Sequence, residues 1–375
     1  MTAPRLEIDL DKIHHNARTL VERLAERGIS VTGVTKATLG SPNIAGALLS
    51  AGVSGLGDSR IENIESMRRG HVMASMSLIR SPMPSQAECV VAHADTSFNS
   101  ELDVISKLSS AAKNAGRTHG VVLMVELGDL REGIMPGELE NTVRETLRFP
   151  NIAFQGIGAN LACWNGVAPD AKNMGELSAL ADSIDRTFGP IVSVVSGGNS
   201  ANLEWALSGA DTARINNVRL GESILLGREP LRRQPIEGLY TDAFQLVAEV
   251  IESKVKPSKP WGTTGQNAFG EKPSVIDRGQ ITQTLLAIGR QDTDPSGLRP
   301  PPGIGILGAS SDHLITDTSG ARLPIGTEVP FQLNYSALVR AMSSPFVTQT
   351  EIVHEWVKPG MSIPFEETSE IQAIR

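Results

Sequence analysis

Residues 31–57 read VTGVTKATLGSPNIAGALLSAGVSGLG. A β-branched run at 31–36 comes first. Ser41 then offers an N-cap, with Pro42 at the first helical position, and an apolar helical pattern follows at 43–51. A second short β-rich run lies at 54–57. Strand, helix and strand in this order make a parallel βαβ unit.

The same unit repeats along the first 230 residues or so. Strands are predicted at 31–36, 54–57, 76–80, 96–99, 120–126, 153–160, 191–196 and 212–218. Helical patterns fill the gaps at 43–51, 61–69, 85–93, 101–115, 138–149, 174–188 and 201–208. Eight such units in about 200 residues fit a closed (β/α)8 barrel of TIM type better than an open sheet. The fold class is therefore α/β. After Arg228 the character changes. Runs at 244–255, 281–289, 305–317, 328–333 and 346–354 are β-like, separated by Pro- and Gly-rich loops, and long helical patterns are missing. The expected division is a barrel over 1–229 and a mainly β domain over 230–375, joined near 230–235.

The chain has 375 residues and a formal charge of −8, with 40% hydrophobic and 20% charged residues. That is a globular composition and not a disordered one. The acidic balance argues against nucleic acid or an anionic membrane as the main partner. No apolar run reaches the roughly 18 residues that a membrane span needs, and the N-terminus shows no signal-peptide h-region. Two cysteines, Cys89 and Cys163, exclude a disulfide framework and a Cys-rich zinc site. Free thiols point to the reducing cytoplasm.

In a barrel of this type, chemistry sits at the C-terminal ends of the strands. Lys36 closes the first strand. It is either an ion-paired or snorkelling lysine at a strand end, or a lysine in low dielectric ready to form a Schiff base. The turn Ser196-Gly197-Gly198-Asn199-Ser200 after strand seven is either a capped βα turn or an anion site built from backbone N–H groups. Arg219-Leu220-Gly221-Glu222 adds a second glycine-containing loop after strand eight. Loops seven and eight often hold phosphate in these barrels, and a lysine beside a phosphate site points to pyridoxal 5'-phosphate.

These segments, with the opening Leu6-Glu7-Ile8-Asp9-Leu10 and Asn16, resemble the alanine-racemase-like, fold-type III pyridoxal-phosphate enzymes. Within them the chain is most similar to the ornithine racemase or predicted amino acid racemase branch. The segments that carry this are 57–61, 127–133, 195–200, 219–223, 291–294 and 308–313. The resemblance implies a racemase of a small amino acid substrate, ornithine or another basic one, that transfers the Cα proton between two bases. It also implies a head-to-tail homodimer with shared active sites. By this analogy Lys36 carries the cofactor. Ser200 and the backbone at Gly221 and Glu222 hold the phosphate, with Asn160, Asn199 and Tyr335 as further cofactor contacts. Arg219 faces the pyridine nitrogen. Arg131 lies near the substrate carboxylate, with Ser311 and Asp312 as further substrate contacts.

Two departures from the family bear on mechanism. Asn160 stands where the alanine racemases place a histidine behind the arginine. The segment Gly289-Arg290-Gln291-Asp292 lacks the tyrosine that serves them as second base. Candidates for that role are His313, then Asp292, then Cys163. Structural roles compete in each case: a histidine bonded to Asp312, a turn-capping or salt-bridging carboxylate, and a small rim residue. Asp292, Asp294 and Asp312 are also candidates to neutralise a distal ammonium. Other reactions on this architecture are a threonine-type aldolase, a decarboxylase and a non-catalytic pyridoxal-phosphate homeostasis protein. A cofactor-independent two-cysteine racemase would need Cys89 to face Cys163.

Overall fold

A computed structural model describes residues 2–272 and 276–353. The chain starts with strand β1 (Arg5–Asp9) and helix α1 (Leu10–Ala25). Asp9 caps α1 by accepting from the Lys12 amide at 3.0 Å. Leu10, Ile13, Ala17, Leu20 and Leu24 recur at helical spacing and are all buried.

Eight parallel strands then close into a barrel. They are β2 (Ser30–Val34), β3 (Gly55–Asp58), β4 (Met76–Leu78), β5 (Thr96–Asn99), β6 (His119–Val125), β7 (Ile152–Ala159), β8 (Val194–Ser196) and β9 (Asn217–Leu220). The helices are α2 (Pro42–Ser50), α3 (Ile61–Arg69), α4 (Ala87–His93), α5 (Leu102–Asn114), α6 (Leu139–Thr146), α7 (Ala171–Phe188), α8 (Leu203–Leu207) and α9 (Glu222–Leu226). All seven residues of β6 are buried, because side chains fill one face of the strand and helices cover the other. Helix α1 packs against α2 and α9 and so joins the outer layer. Fully buried Asn16 fixes that seam. Its Nδ2 donates to the Ile224 and Tyr240 carbonyls at 2.9 and 2.8 Å, and its Oδ1 accepts from the Tyr240 amide at 2.8 Å.

The remaining strands are β10 (Phe244–Pro257), β11 (Gln280–Leu286), β12 (Leu298–Arg299), β13 (Gly305–Ala309), β14 (Leu314–Asp317), β15 (Glu328–Leu333) and β16 (Thr348–Ile352). The sheet runs β12-β15-β10-β11-β14-β13, and β1 joins it between β10 and β16. Helix α10 (Tyr335–Ser343) follows β15.

Strand β1, though N-terminal, belongs to the second sheet. Three expectations need correction. The 305–317 run is a hairpin whose turn carries Ser311, Asp312 and His313. The C-terminal region holds a nine-residue helix, α10. Strand eight lies at 217–220 and not at 212–218, which puts Arg219 within the strand. The last residue of the 346–354 run lies outside the described residues. Among the described residues, no helix is long and apolar enough to cross a membrane.

His119 at the start of β6 is 1% exposed and shares a 2.8 Å hydrogen bond with the Ser97 hydroxyl. Burial pulls its pKa down from 6.5 to about 4. The unfolded chain therefore binds this proton more readily. The resulting stability is present above pH 6.5 and is lost as pH falls towards 4, by about 3 kcal/mol in all. His119→Gln should flatten urea-unfolding stability across this window relative to wild type. An unchanged slope would show that His119 is not responsible.

Candidate active site

The C-terminal ends of the barrel strands surround a cavity of about 500 Å3. Strand β2 delivers Lys36 into it through a single 3-10 turn, Lys36–Thr38. Asp58 at the end of β3 holds that turn. It is fully buried, and its carboxylate accepts from Thr35 Oγ1 at 2.7 Å, the Arg60 amide at 2.9 Å and Asn63 Nδ2 at 3.0 Å. Burial pushes its pKa up despite these bonds. Lys36 itself has no hydrogen bond or ion pair among the described residues. The nearby Glu222 carboxylate feels its charge.

Arg219 crosses the floor. In a strand, residues two apart share a face, so Asn217 and Arg219 both point inward. Arg219 Nη1 donates to Ser196 Oγ at 2.5 Å and Nη2 to the Ala159 carbonyl at 2.7 Å. Ser196 passes the chain on, donating to Asn217 Oδ1 at 2.7 Å. The guanidinium also lies 5.0 Å from the Phe98 ring centroid. It is 5% exposed and has no carboxylate partner among the described residues, and burial lowers its pKa to about 10. It therefore stays charged at neutral pH.

In the loops after β8 and β9, Ser200 Oγ accepts from the Gly221 and Ser223 amides at 3.4 and 3.1 Å and from Ser223 Oγ at 3.0 Å. A Cβ on Gly221 would come within 3.2 Å of Val34 Cβ, so glycine lets strand β2 pass close beneath this cradle. Asn199 Nδ2 donates to Asn160 Oδ1 at 3.1 Å, to the Leu161 carbonyl at 2.8 Å and to Cys163 Sγ at 3.4 Å. Asn160 Nδ2 is buried without a partner. Tyr335, the first residue of α10, completes the wall, and burial pushes its phenol well above its ordinary pKa.

The rim is tied down by acids. Glu126 accepts from the Gly128, Leu130 and Arg131 amides at 2.6, 2.9 and 3.2 Å. Fully buried Asp129 accepts from the Trp164, Asn165 and Val167 amides at 2.9, 3.0 and 3.4 Å. Asp129 thus links the loop carrying Arg131 to the loop carrying Cys163. Arg131 is paired with Glu132, and Arg233 with Glu222. Burial raises the Glu222 pKa, against the pull of Arg233.

Ten of the expected site residues therefore meet in one cavity: Lys36, Arg131, Asn160, Cys163, Asn199, Ser200, Arg219, Gly221, Glu222 and Tyr335. Asp292, Ser311, Asp312 and His313 do not line it. Asp292 is 4% exposed, and its oxygens accept from the Gly289 amide at 3.1 Å and Ser344 Oγ at 3.0 Å. Asp294 is likewise taken up by Ser296 and Ser336. Both carboxylates are therefore engaged by hydrogen bonds within the β domain. His313 and Asp312 stay accessible on the β13–β14 turn, with His313 Nδ1 2.9 Å from Asp312 Oδ1. This contact holds Asp312 below the usual carboxylate range. Backbone packing joins this turn to the 289–292 turn, since a Cβ on Gly289 would lie 2.3 Å from the Asp312 amide.

Sequence reasoning missed Asn217 and Phe98 around Arg219, and Arg233 on the cavity wall. The first two carry a usable signal: Asn217 is two residues before Arg219 on β9, and Phe98 is on strand β5. Cys89 lies on helix α4 and takes no part in the cavity, so the two cysteines do not face one another there.

The Alanine racemase, N-terminal domain, model matches residues 8–229. The chain belongs to this family. It is 39% identical to the ornithine racemase of Acetoanaerobium sticklandii over 349 residues, covering 92% of this chain and 98% of that protein. It is 38% identical to the lysine racemase of Thermotoga maritima, with the same coverage. Alanine racemase from Streptomyces lavendulae shares the fold at a TM-score of 0.72 and 18% identity, covering 94% of this chain and 98% of that one. D-threonine aldolase from Filomicrobium marinum shares it at 0.70 and 16%, covering 91% and 88%.

The residues present fit the family's pyridoxal phosphate. Among the described residues the lysine has no pairing partner, and the Gly221 cradle and Asn160 line the same cavity. The cavity also sets five cationic side chains against two carboxylates, which suits a ligand bearing a phosphate and a carboxylate.

Asp129→Ala would leave the Trp164, Asn165 and Val167 amides without their acceptor. Hydrogen exchange at these amides and across 128–133 should accelerate by roughly 30–100-fold, with strand β6 unchanged. Unaltered exchange at Trp164 would refute the cross-link.

Proposed function

We propose that the chain is a pyridoxal-phosphate-dependent racemase of a basic amino acid, ornithine or lysine, and so an isomerase. One observation carries this reading. Among the described residues, a lysine without a partner and a buried arginine without an acid line one cavity, in a chain that matches two basic-amino-acid racemases over nearly their whole length.

When bound, the cofactor supplies an electron sink that makes the Cα proton of an attached amino acid acidic. Lys36 would hold it, and the same side-chain amine is placed to take or return the Cα proton on one face. Asp58 acts on Lys36 through Thr35, fixing the turn from which the ammonium projects. Ser200 with the Gly221 and Glu222 backbone would hold the phosphate, and Asn160, Asn199 and Tyr335 would be further contacts of the cofactor. Arg219 keeps its proton at neutral pH and so remains a donor towards the ring nitrogen. That limits electron withdrawal and favours proton return over loss of carbon dioxide. Arg131 offers its charge to the substrate carboxylate.

The second acid/base is His313 of a second copy, in a head-to-tail homodimer with shared sites. Glu132 and Glu222 are held by arginines, Tyr335 is too weak an acid, and Asp292 is sealed inside the β domain. His313 has its Nδ1 on Asp312, which leaves Nε2 for substrate. Asp312 and Ser311 on the same turn would meet the substrate, Asp312 offsetting the distal ammonium. Cys163 is the next candidate for the base. Free thiols agree with a cytoplasmic location.

The test is chiral chromatography with mass spectrometry after incubation with L-ornithine in deuterated water. D-Ornithine with one deuterium at Cα should form, and Lys36→Ala should abolish it. His313→Gln should slow inversion by about 10²–10⁴-fold while deuterium still enters one enantiomer. No turnover of ornithine or lysine would sink the racemase reading. Full inversion in His313→Gln with loss in Cys163→Ala would move the base to the rim.

A further inference from the structure

Outside the cavity, helices α3 and α4 bring three different metal-binding side chains together. Cys89 and His93 are four residues apart on α4 and share one face of it. Glu65 projects from the neighbouring α3. The Cys89 thiol donates to Glu65 Oε1 at 3.4 Å, and His93 Nε2 lies 3.2 Å from the same oxygen. One donor atom from each residue falls within 4.8 Å of the others.

We propose that Glu65, Cys89 and His93 form a site for a divalent thiophilic transition-metal ion, zinc above all. Bonds of about 2.0–2.3 Å to tetrahedral zinc set ligand atoms roughly 3.3–3.8 Å apart. The two measured separations from Glu65 Oε1 are already close to that spacing. All three ligands sit on formed helices, so little chain entropy is lost on binding. Arg68 steadies the end of α4, since its Nε donates to the His93 carbonyl at 3.1 Å.

Charge favours a cation at this place. Glu62, one turn before Glu65 on α3, adds its negative field at Cys89 and is itself held by Gln86 Nε2 at 2.7 Å. The His93 and Glu65 side chains are 36% and 34% exposed, so water can fill a fourth position. Binding breaks the Cys89 S–H bond, forms a zinc–sulfur bond and releases one proton to solvent. No oxidation or reduction is involved. The ion would staple α3 to α4 on the outer layer, independently of the reaction in the cavity.

The experiment is zinc titration of tag-free, chelator-treated holoenzyme by calorimetry, with cobalt as an optical probe of thiolate ligation. One zinc per protomer is expected at micromolar concentration, together with tetrahedral cobalt bands in the visible and a raised thermal midpoint. Cys89→Ser and His93→Gln should each weaken binding by about 100-fold or more, since even residues behind a metal ligand contribute 10–100-fold. Both lie on the barrel exterior and should leave racemisation unchanged, which also reports that the variants fold. Cys163→Ser should keep the zinc equivalent. No saturable equivalent, an equivalent that survives either substitution, or one lost in Cys163→Ser overturns the site.

Discussion

The site is organised around a buried cation that no acid neutralises. A guanidinium inside a barrel carries a desolvation penalty of several kcal/mol. Here it is offset by neutral acceptors, the Ser196 hydroxyl and the Ala159 carbonyl, and by the Phe98 ring. The acceptors come from β8 and β7, so Arg219 cannot be placed without the closed barrel. The fold thus holds a permanent donor at the floor of the cavity. A carboxylate at Ser196 would have cancelled the charge and made the floor neutral.

The acids near the site are used for shape. Glu126 and Asp129 accept backbone amides in the loops that present Arg131 and Cys163, and Asp58 accepts the Thr35 hydroxyl beside Lys36 and the Arg60 amide. A carboxylate that accepts several amides is a firm anchor and a poor proton carrier. The two acids that do line the cavity are paired with arginines. The interior is therefore positive at both its floor and its rim, which is the arrangement an anionic ligand selects.

The barrel was legible in the sequence because its signal is local. Apolar strand runs and capped helices alternate, and the Ser41-Pro42 start coincides with helix α2. Lys36, Ser200 and Gly221 were legible because function in this fold sits at strand ends. What escaped depends on register and long-range pairing. A shift of strand eight by a few residues decides whether Arg219 lies in a loop or inside the barrel. Strand β1 is five residues long, and only its partners β10 and β16, more than 200 residues away, assign it to the second sheet. Asp292 looked like a loop acid available to substrate. Its burial comes from Ser344, which is 52 residues distant.

This distribution of charge bears on how one architecture serves substrates of different charge. The barrel of a single chain concentrates positive charge, so it cannot by itself favour a substrate with an extra ammonium. Attraction for that ammonium has to be supplied from outside the barrel. The accessible turn of the β domain, with Asp312 held in its charged form by His313, has the required sign. If a second copy brings this turn to the cavity mouth, one surface loop supplies both the missing base and the missing negative charge. Substrate choice then becomes a property of the β-domain turn, free to vary while Arg219 and its supports stay fixed inside the barrel.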